Sequence, residues 1–259
     1  CVLANNHVLD WGGPGLAETL ASLEDAGIRH AGAGPDLAAA RSPAVLAVPG
    51  QARGEARVLV FAFGSESSGI GRAWAATATR PGVNLLPDLS DATVTAVAAQ
   101  VRAVKQAGDI AVASIHWGGN WGYEIPDAQR SFAHALIDRA QIDVVHGHSS
   151  HHPKGIEVYR ERPIIYGCGD LLNDYEGIRG HTRYRGELSL MYFPSMDPVS
   201  GRLQRFILTP TRIRKLRLER AAPAEVDWLA GLLNREGRSL GTGVARDDRG
   251  RLVLQWADG

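Results

Sequence analysis

Residues 58–63 read Val-Leu-Val-Phe-Ala-Phe, an unbroken apolar run closed by Gly64. A segment with no polar side fits a strand covered on both faces, as in a sheet with helices packed on it. The surrounding chain follows the same grammar. Val2 to Ala4 reads as the tail of a strand, and Gly15 to Ala26 as a helix with Leu16, Leu20 and Leu23 on one face, stopped by Gly27. Asp91 is placed to cap a second helix with the stripe Val94, Val97, Val101 and Val104. Asp109 to Trp117 reads as a strand, Asp127 to Ala140 as a helix aligning Phe132, Leu136 and Ala140, and Ile142 to Val145 and Pro163 to Gly167 as further strands. Between them, Ser65 to Pro87 is rich in Gly, Ser, Ala and Thr, and its length suits a lid or a partly mobile insertion. The alternation predicts an α/β layered fold.

The grammar then changes. Glu187 to Phe193 and Arg202 to Thr209 form an expected antiparallel pair around Asp197-Pro198-Val199-Ser200-Gly201. Pro223 to Arg235 follows as a helix, and a hairpin through Asp247-Asp248-Arg249-Gly250 closes the chain. The expected division is a main domain at 1–213 and a helix-plus-hairpin extension at 214–259. The chain opens at Cys1 inside a strand, so the reading treats the domain as truncated at its start, with ligand residues upstream.

Composition removes several classes. The 259 residues carry 28 basic and 28 acidic side chains. That balance gathers no polyanion, and no nucleic-acid partner is expected. Two cysteines allow no disulfide framework and no thiolate zinc site. No apolar run approaches the roughly 20 residues that span a bilayer.

Three polar clusters fall at strand ends, the edge where open α/β sheets collect ligand groups. They are Asn5-Asn6-His7 with Asp10 and Gly12, His116-Trp117-Gly118, and His148 and His151 with His146 and His152 beside them. Imidazole with Asn or Asp oxygen suits Zn, Mn or Fe, and a pair of ions would activate water. Converging imidazoles alone would instead serve as an acid/base pair. His7, His116, His148 and His151 are expected to meet in one cleft. His146 reads as structural and Asp10 as a loop-fixing acid, while His152, Glu124, Asp170 and Asp174 are secondary candidates at its mouth. Trp117 and Trp121 read as packed walls, Cys168 as a buried filler, and His30, His134 and His181 as surface or packing residues.

The string Leu3-Ala4-Asn5-Asn6-His7-Val8-Leu9-Asp10-Trp11-Gly12 resembles the signature of the CapA family of poly-γ-glutamate capsule synthesis proteins. Ser114-Ile115-His116-Trp117-Gly118, Gly147-His148-Ser149-Ser150-His151, Gly155-Ile156-Glu157-Val158-Tyr159 and Ile164-Ile165-Tyr166-Gly167-Cys168-Gly169-Asp170 continue the resemblance in order. It implies a calcineurin-like metallophosphatase fold, a four-layer α/β/β/α sandwich. By position it implies Asn6, His7, His116, His148 and His151 as metal ligands, and Asn6, His116, His148 and His151 as catalytic groups. Asp170 stands where the family has Asn, and the last His pair is one residue wider than usual. The implied substrate is polyglutamate or a peptide-like molecule, and the implied partner a capsule-synthesis complex at the bacterial surface or in the cytoplasm. Phosphoester hydrolysis, peptidyl epimerisation and non-catalytic polymer binding are the alternatives.

Overall fold

The computed structural model describes residues 1–48, 56–173 and 180–257. The first helix, α1 (Gly12–Asp25), begins three residues earlier than its leucine stripe suggests. Pro14 falls in its first turn, where a missing N–H breaks no helical bond. Leu16 and Leu20 are buried. Val2 to Ala4 is not a strand: it makes a single parallel bridge to Ala31, through Leu3 N–H to Ala31 O and Ala31 N–H to Cys1 O. Next come β1 (Ala33–Gly34), the short α2 (Leu37–Arg41) and β2 (Ala44–Ala47).

The apolar run lies within β3 (Arg57–Ser65), whose residues from Phe61 to Ser65 are all buried. The stretch read as a lid is ordered. It forms 3₁₀ turns at Glu66–Ser68 and Arg72–Trp74, then β4 (Gly82–Val83) and β5 (Leu85–Leu86). β4 pairs with β1, and β5 extends the end of β3 in parallel. The small polar residues that made it look mobile make tight turns instead: Ser65 Oγ accepts from Ser67 N–H, and Ser68 Oγ lies 2.8 Å from the Ser65 carbonyl oxygen.

In α3 (Asp91–Arg102) the cap is Ser90, not Asp91: Ser90 Oγ accepts Thr93 N–H, while Asp91 starts the helix and pairs with Arg139 at 2.5 Å. Val94, Val97 and Val101 face the core, and Val104 falls beyond the helix end. β6 (Ile110–His116) runs parallel to β3, setting Gly64 opposite His116. The two strand starts are clamped by Arg57, whose Nε and Nη2 reach the Asp109 carboxylate at 2.9 and 2.5 Å. This bond and the adjacent backbone N–H of Gln106 hold the Asp109 carboxyl below its usual range. α4 (Asp127–Ala140) packs on α3 with Phe132, Leu136 and Ala140 inward.

β7 is Val144–His148, so the strand runs three residues further than expected and carries His146 and His148 inside it. Next come β8 (Ile156–Tyr159), β9 (Arg162–Ile165), β10 (Leu188–Met196), β11 (Leu203–Arg214) and β12 (Arg217–Arg220). α5 (Pro223–Gly237), β13 (Thr242–Arg246) and β14 (Leu252–Trp256) finish the described chain. β10 to β14, without α5, form an antiparallel sheet in the order β10-β11-β14-β13, with β12 also on β11. The Asp197–Gly201 turn and the closing hairpin are thus as the turn residues predict.

The chain divides into two units. The first holds Cys1–Gly118, Pro126–Val145 and Pro198–Gly201; the second holds Gly119–Ile125, His146–Asp197 and Arg202–Gly259. One core of the first unit joins Leu3, Leu16, Leu20, Ala33, Ile70 and Val83. In the second, Ile156 and Ile165 share a core with Leu190, Phe206, Leu229, Leu233, Val244 and Leu254. Burying a side chain such as Leu229 or Phe206 contributes roughly 1.5–3 kcal/mol, so α5 and the last hairpin are integral to that unit.

Candidate functional site

In the first unit a polar turn meets a strand end. Asn5 Oδ1 accepts the backbone N–H groups of His7 and Val8, both at 2.9 Å, which fixes the loop. Asn6 Oδ1 then lies 3.1 Å from Nε2 of His116, the last residue of β6. His116 is 8% exposed, and Ser68 Oγ sits 2.8 Å from its carbonyl oxygen. His7 turns the other way: its side chain is 76% exposed and its Nδ1 pairs with Asp10 at 2.8 Å. Asp10 thus meets its loop neighbour with its side chain 49% exposed.

In the second unit the rings of His146 and His148 stack along β7 with centroids 5.6 Å apart. Burial pushes the His146 imidazole down to about 4. Past the strand the backbone tightens. Ser149 adopts φ 119°, a region costing a non-glycine residue about 1–3 kcal/mol. Ser150 Oγ donates to the His152 carbonyl oxygen at 2.9 Å, and His151 N–H donates to Asn120 O at 3.0 Å. This loop presents His151 to Asp170, with Nδ1 and Oδ2 2.8 Å apart and the two side chains about one-fifth exposed (20% and 22%). The same Asp170 oxygen accepts Asn173 Nδ2 at 3.1 Å. Trp121 covers His151 at a centroid distance of 5.5 Å and stacks on His181 at 4.3 Å.

His152 has a structural place. It is 0% exposed, its Nε2 accepts Gly122 N–H at 3.2 Å, and its Nδ1 lies 3.0 Å from Pro153 O. Burial pushes it down to about 4, so it stays neutral near pH 7. Cys168 is half-buried, and burial pushes its thiol up to about 12, which removes thiolate chemistry. Trp117 is buried, Glu124 is exposed, and Asp174 lies outside the described residues. Sequence reading missed Lys154. It is 7% exposed, donates from Nζ to the Glu124 carbonyl oxygen at 3.1 Å, and is lowered by burial. Its only sequence signal was adjacency to the His cluster.

The two histidine settings support different chemistry. An Asp on Nδ1 favours the tautomer protonated there and orients the ring, an arrangement that suits His151 to proton transfer. Asn6 Oδ1 and His116 Nε2 are spaced as neighbouring ligands on one ion would be, given metal bonds of about 2.0–2.2 Å. However, among the described residues no group of three or more His, Cys, Asp or Glu side chains is placed to hold a metal ion. The Asn6–His116 pair does not make a metal centre by itself, and a Mn, Zn or Fe ion would need further ligands.

Comparison with known proteins places these residues in a lineage. The profile of the bacterial capsule synthesis protein PGA_cap family matches residues 1–175. The chain belongs to that family. It is 50% identical over 245 residues to a probable polyglutamine synthesis accessory protein of Mycobacterium tuberculosis, covering 94% of this chain and 63% of that one. It is 30% identical over 223 residues to the PGA biosynthesis protein CapA of Bacillus subtilis, covering 86% of this chain and 52% of that one. The capsule biosynthesis protein CapA of Bacillus anthracis is 26% identical over 191 residues, covering 73% and 43%. The chain thus spans less than two thirds of the length of these curated relatives. The PGA_cap family has a metallophosphoesterase-like fold, in keeping with the mixed α/β elements described above. Among the described residues no helix is long and apolar enough to cross a membrane.

Proposed function

We propose that this chain works in the synthesis of a glutamate-rich anionic capsule polymer, on a peptide-like substrate, with His151 moving a proton and Asp170 holding it in place. Family membership supports the pathway, and the relatives' names point to polyglutamine or PGA synthesis. The observation that carries the chemistry is the 2.8 Å contact between His151 Nδ1 and Asp170 Oδ2. An amine or water adds to the carbonyl of a glutamyl amide bond and gives its proton to His151 Nε2; the tetrahedral carbon then breaks its C–N bond, and the departing amine takes that proton back from the imidazolium that the Asp170 carboxylate stabilises. The partner would be a capsule-synthesis complex, as the accessory role in the mycobacterial relative's name suggests.

The test is incorporation of labelled glutamate into acid-insoluble polymer by membranes from cells making the full-length protein. His151→Ala is expected to lower incorporation by at least about 100-fold, the scale of a general acid or base, and Asp170→Asn by about tenfold or more. Wild-type incorporation with His151→Ala would sink the reading.

The 3.1 Å spacing of Asn6 Oδ1 and His116 Nε2 favours a second reading, a metal-dependent phosphoesterase drawing on further ligands. It expects stoichiometric Mn, Zn or Fe in the purified full-length protein, lost on His116→Ala and retained on His7→Ala. Elemental analysis decides it.

A further inference from the structure

The second unit also holds a cleft of about 510 Å³ lined by Gly122, Tyr123, Glu124, Arg183, Tyr184, Trp228 and Arg235. That volume lies in the range of small-ligand pockets. Four of the lining residues fall beyond residue 175, outside the family match. Two guanidinium groups lie over aromatic rings: Arg183 Cζ is 4.6 Å from the Tyr184 centroid and Arg235 Cζ 5.4 Å from that of Tyr123. Arg183 Nη2 donates to Tyr184 Oη, and a guanidinium has five N–H donors, so further ones remain to grip an oxyanion edge-on. Tyr123 Oη is buried without a hydrogen bond of ordinary geometry, and the Arg235 guanidinium lies over its ring. Arg235 Nε pairs with Glu236 at 2.8 Å, and Lys154 Nζ donates to the Glu124 carbonyl oxygen behind the lining. Arg183, Arg235 and Lys154 against Glu124 and Glu236 leave one positive charge in excess.

We propose that this cleft is a carboxylate subsite, in which Arg183 and Arg235 grip side-chain or terminal carboxylates of an acidic peptide chain and the half-buried Trp228 ring flanks its aliphatic stems. Its assignment to a glutamyl polymer rests on the function proposed above. Carboxylate fits the site better than phosphate because the Trp228 side of the cleft favours a group carried on an apolar stem.

Isothermal titration calorimetry of the full-length protein tests this with a short γ-linked glutamate oligomer, the matching glutamine oligomer and inorganic phosphate. The double variant Arg183→Gln/Arg235→Gln is expected to bind the glutamate oligomer at least about tenfold more weakly, since charge-assisted hydrogen bonds are the strong ones. Both side chains are well exposed, so the fold should survive, and a thermal melt checks this. Arg220→Gln/Arg249→Gln removes the same charge elsewhere and should leave affinity within about twofold. Equal affinity in the cleft variant, or an equal loss in the control, overturns the subsite while the polymer reading stands. Equal binding of the glutamine oligomer or of phosphate overturns carboxylate selectivity. No wild-type affinity for the glutamate oligomer overturns both the subsite and the polymer reading.

Discussion

Gly167 shows how tightly single residues fix the His151 loop. A Cβ there would stand 2.3 Å from Ser150 Oγ and 2.9 Å from Lys154 Cγ. Ser150 in turn holds the His152 carbonyl oxygen, so the added methyl would push the segment that carries His151. Gly167→Ala is expected to cost about 1–3 kcal/mol, the usual scale of overpacking, seen as a lower urea midpoint. An unchanged midpoint would mean that the loop gives way easily and does not hold His151 rigidly. Neighbouring histidines divide the labour here. His152 spends both ring nitrogens on backbone groups, while His151 turns its Nδ1 to a carboxylate. The sequence shows two adjacent imidazoles, and nothing in it separates these roles.

Two hairpins escaped the sequence reading for one stereochemical reason. β8 and β9 turn through Arg160 and Glu161 at φ 47° and 59°, and β11 and β12 through Lys215 and Leu216 at φ 51° and 57°. Two consecutive positive φ values make the turn that matches strand twist, which normally calls for Asn-Gly or Asp-Gly. Here long side chains occupy both positions at a cost of about 1–2 kcal/mol per residue, so no turn signal is visible. Replacing the exposed pair by Lys215→Asn/Leu216→Gly is expected to stabilise the protein by about 1 kcal/mol, a rise of about 2–4 °C in Tm by calorimetry. A fall in Tm would show that the Leu216 contacts outweigh the strain.

Acid sensitivity belongs to the whole molecule. The folded His152 titrates at about 4, and an unfolded histidine at about 6.5. Between these values the unfolded chain binds a proton that the folded one refuses, so stability rises with pH. The contribution is complete above about pH 6.5 and is lost as pH falls towards about 4, amounting to about 3 kcal/mol for a shift of this size. His146 acts in the same direction. Urea midpoints from pH 7 down to pH 4.5 should decline, and His152→Gln should flatten that decline; an equally steep decline in the variant would assign it to other groups. At this scale, too, the family match ends at residue 175, yet the second unit's core joins Ile156 and Ile165 to side chains as far along as Leu254. The match boundary is therefore not a packing boundary.

Patterns with a short physical range were legible from the residues alone. The apolar run of β3, the stripes of α1, α3 and α4 and the Asp197–Gly201 turn depend on which face of a local element meets water. The ordered strings around Asn6, His116 and His148 placed the chain in its family. Tertiary structure decided the rest. It extended β7 through His148, turned His7 towards Asp10, closed Asn6 on His116, set Asp170 against His151, and assembled the arginine-lined cleft from residues more than 100 positions apart. Side-chain pairing across such separations follows from packing of the whole chain, because no local periodicity encodes which distant partner a polar atom will meet.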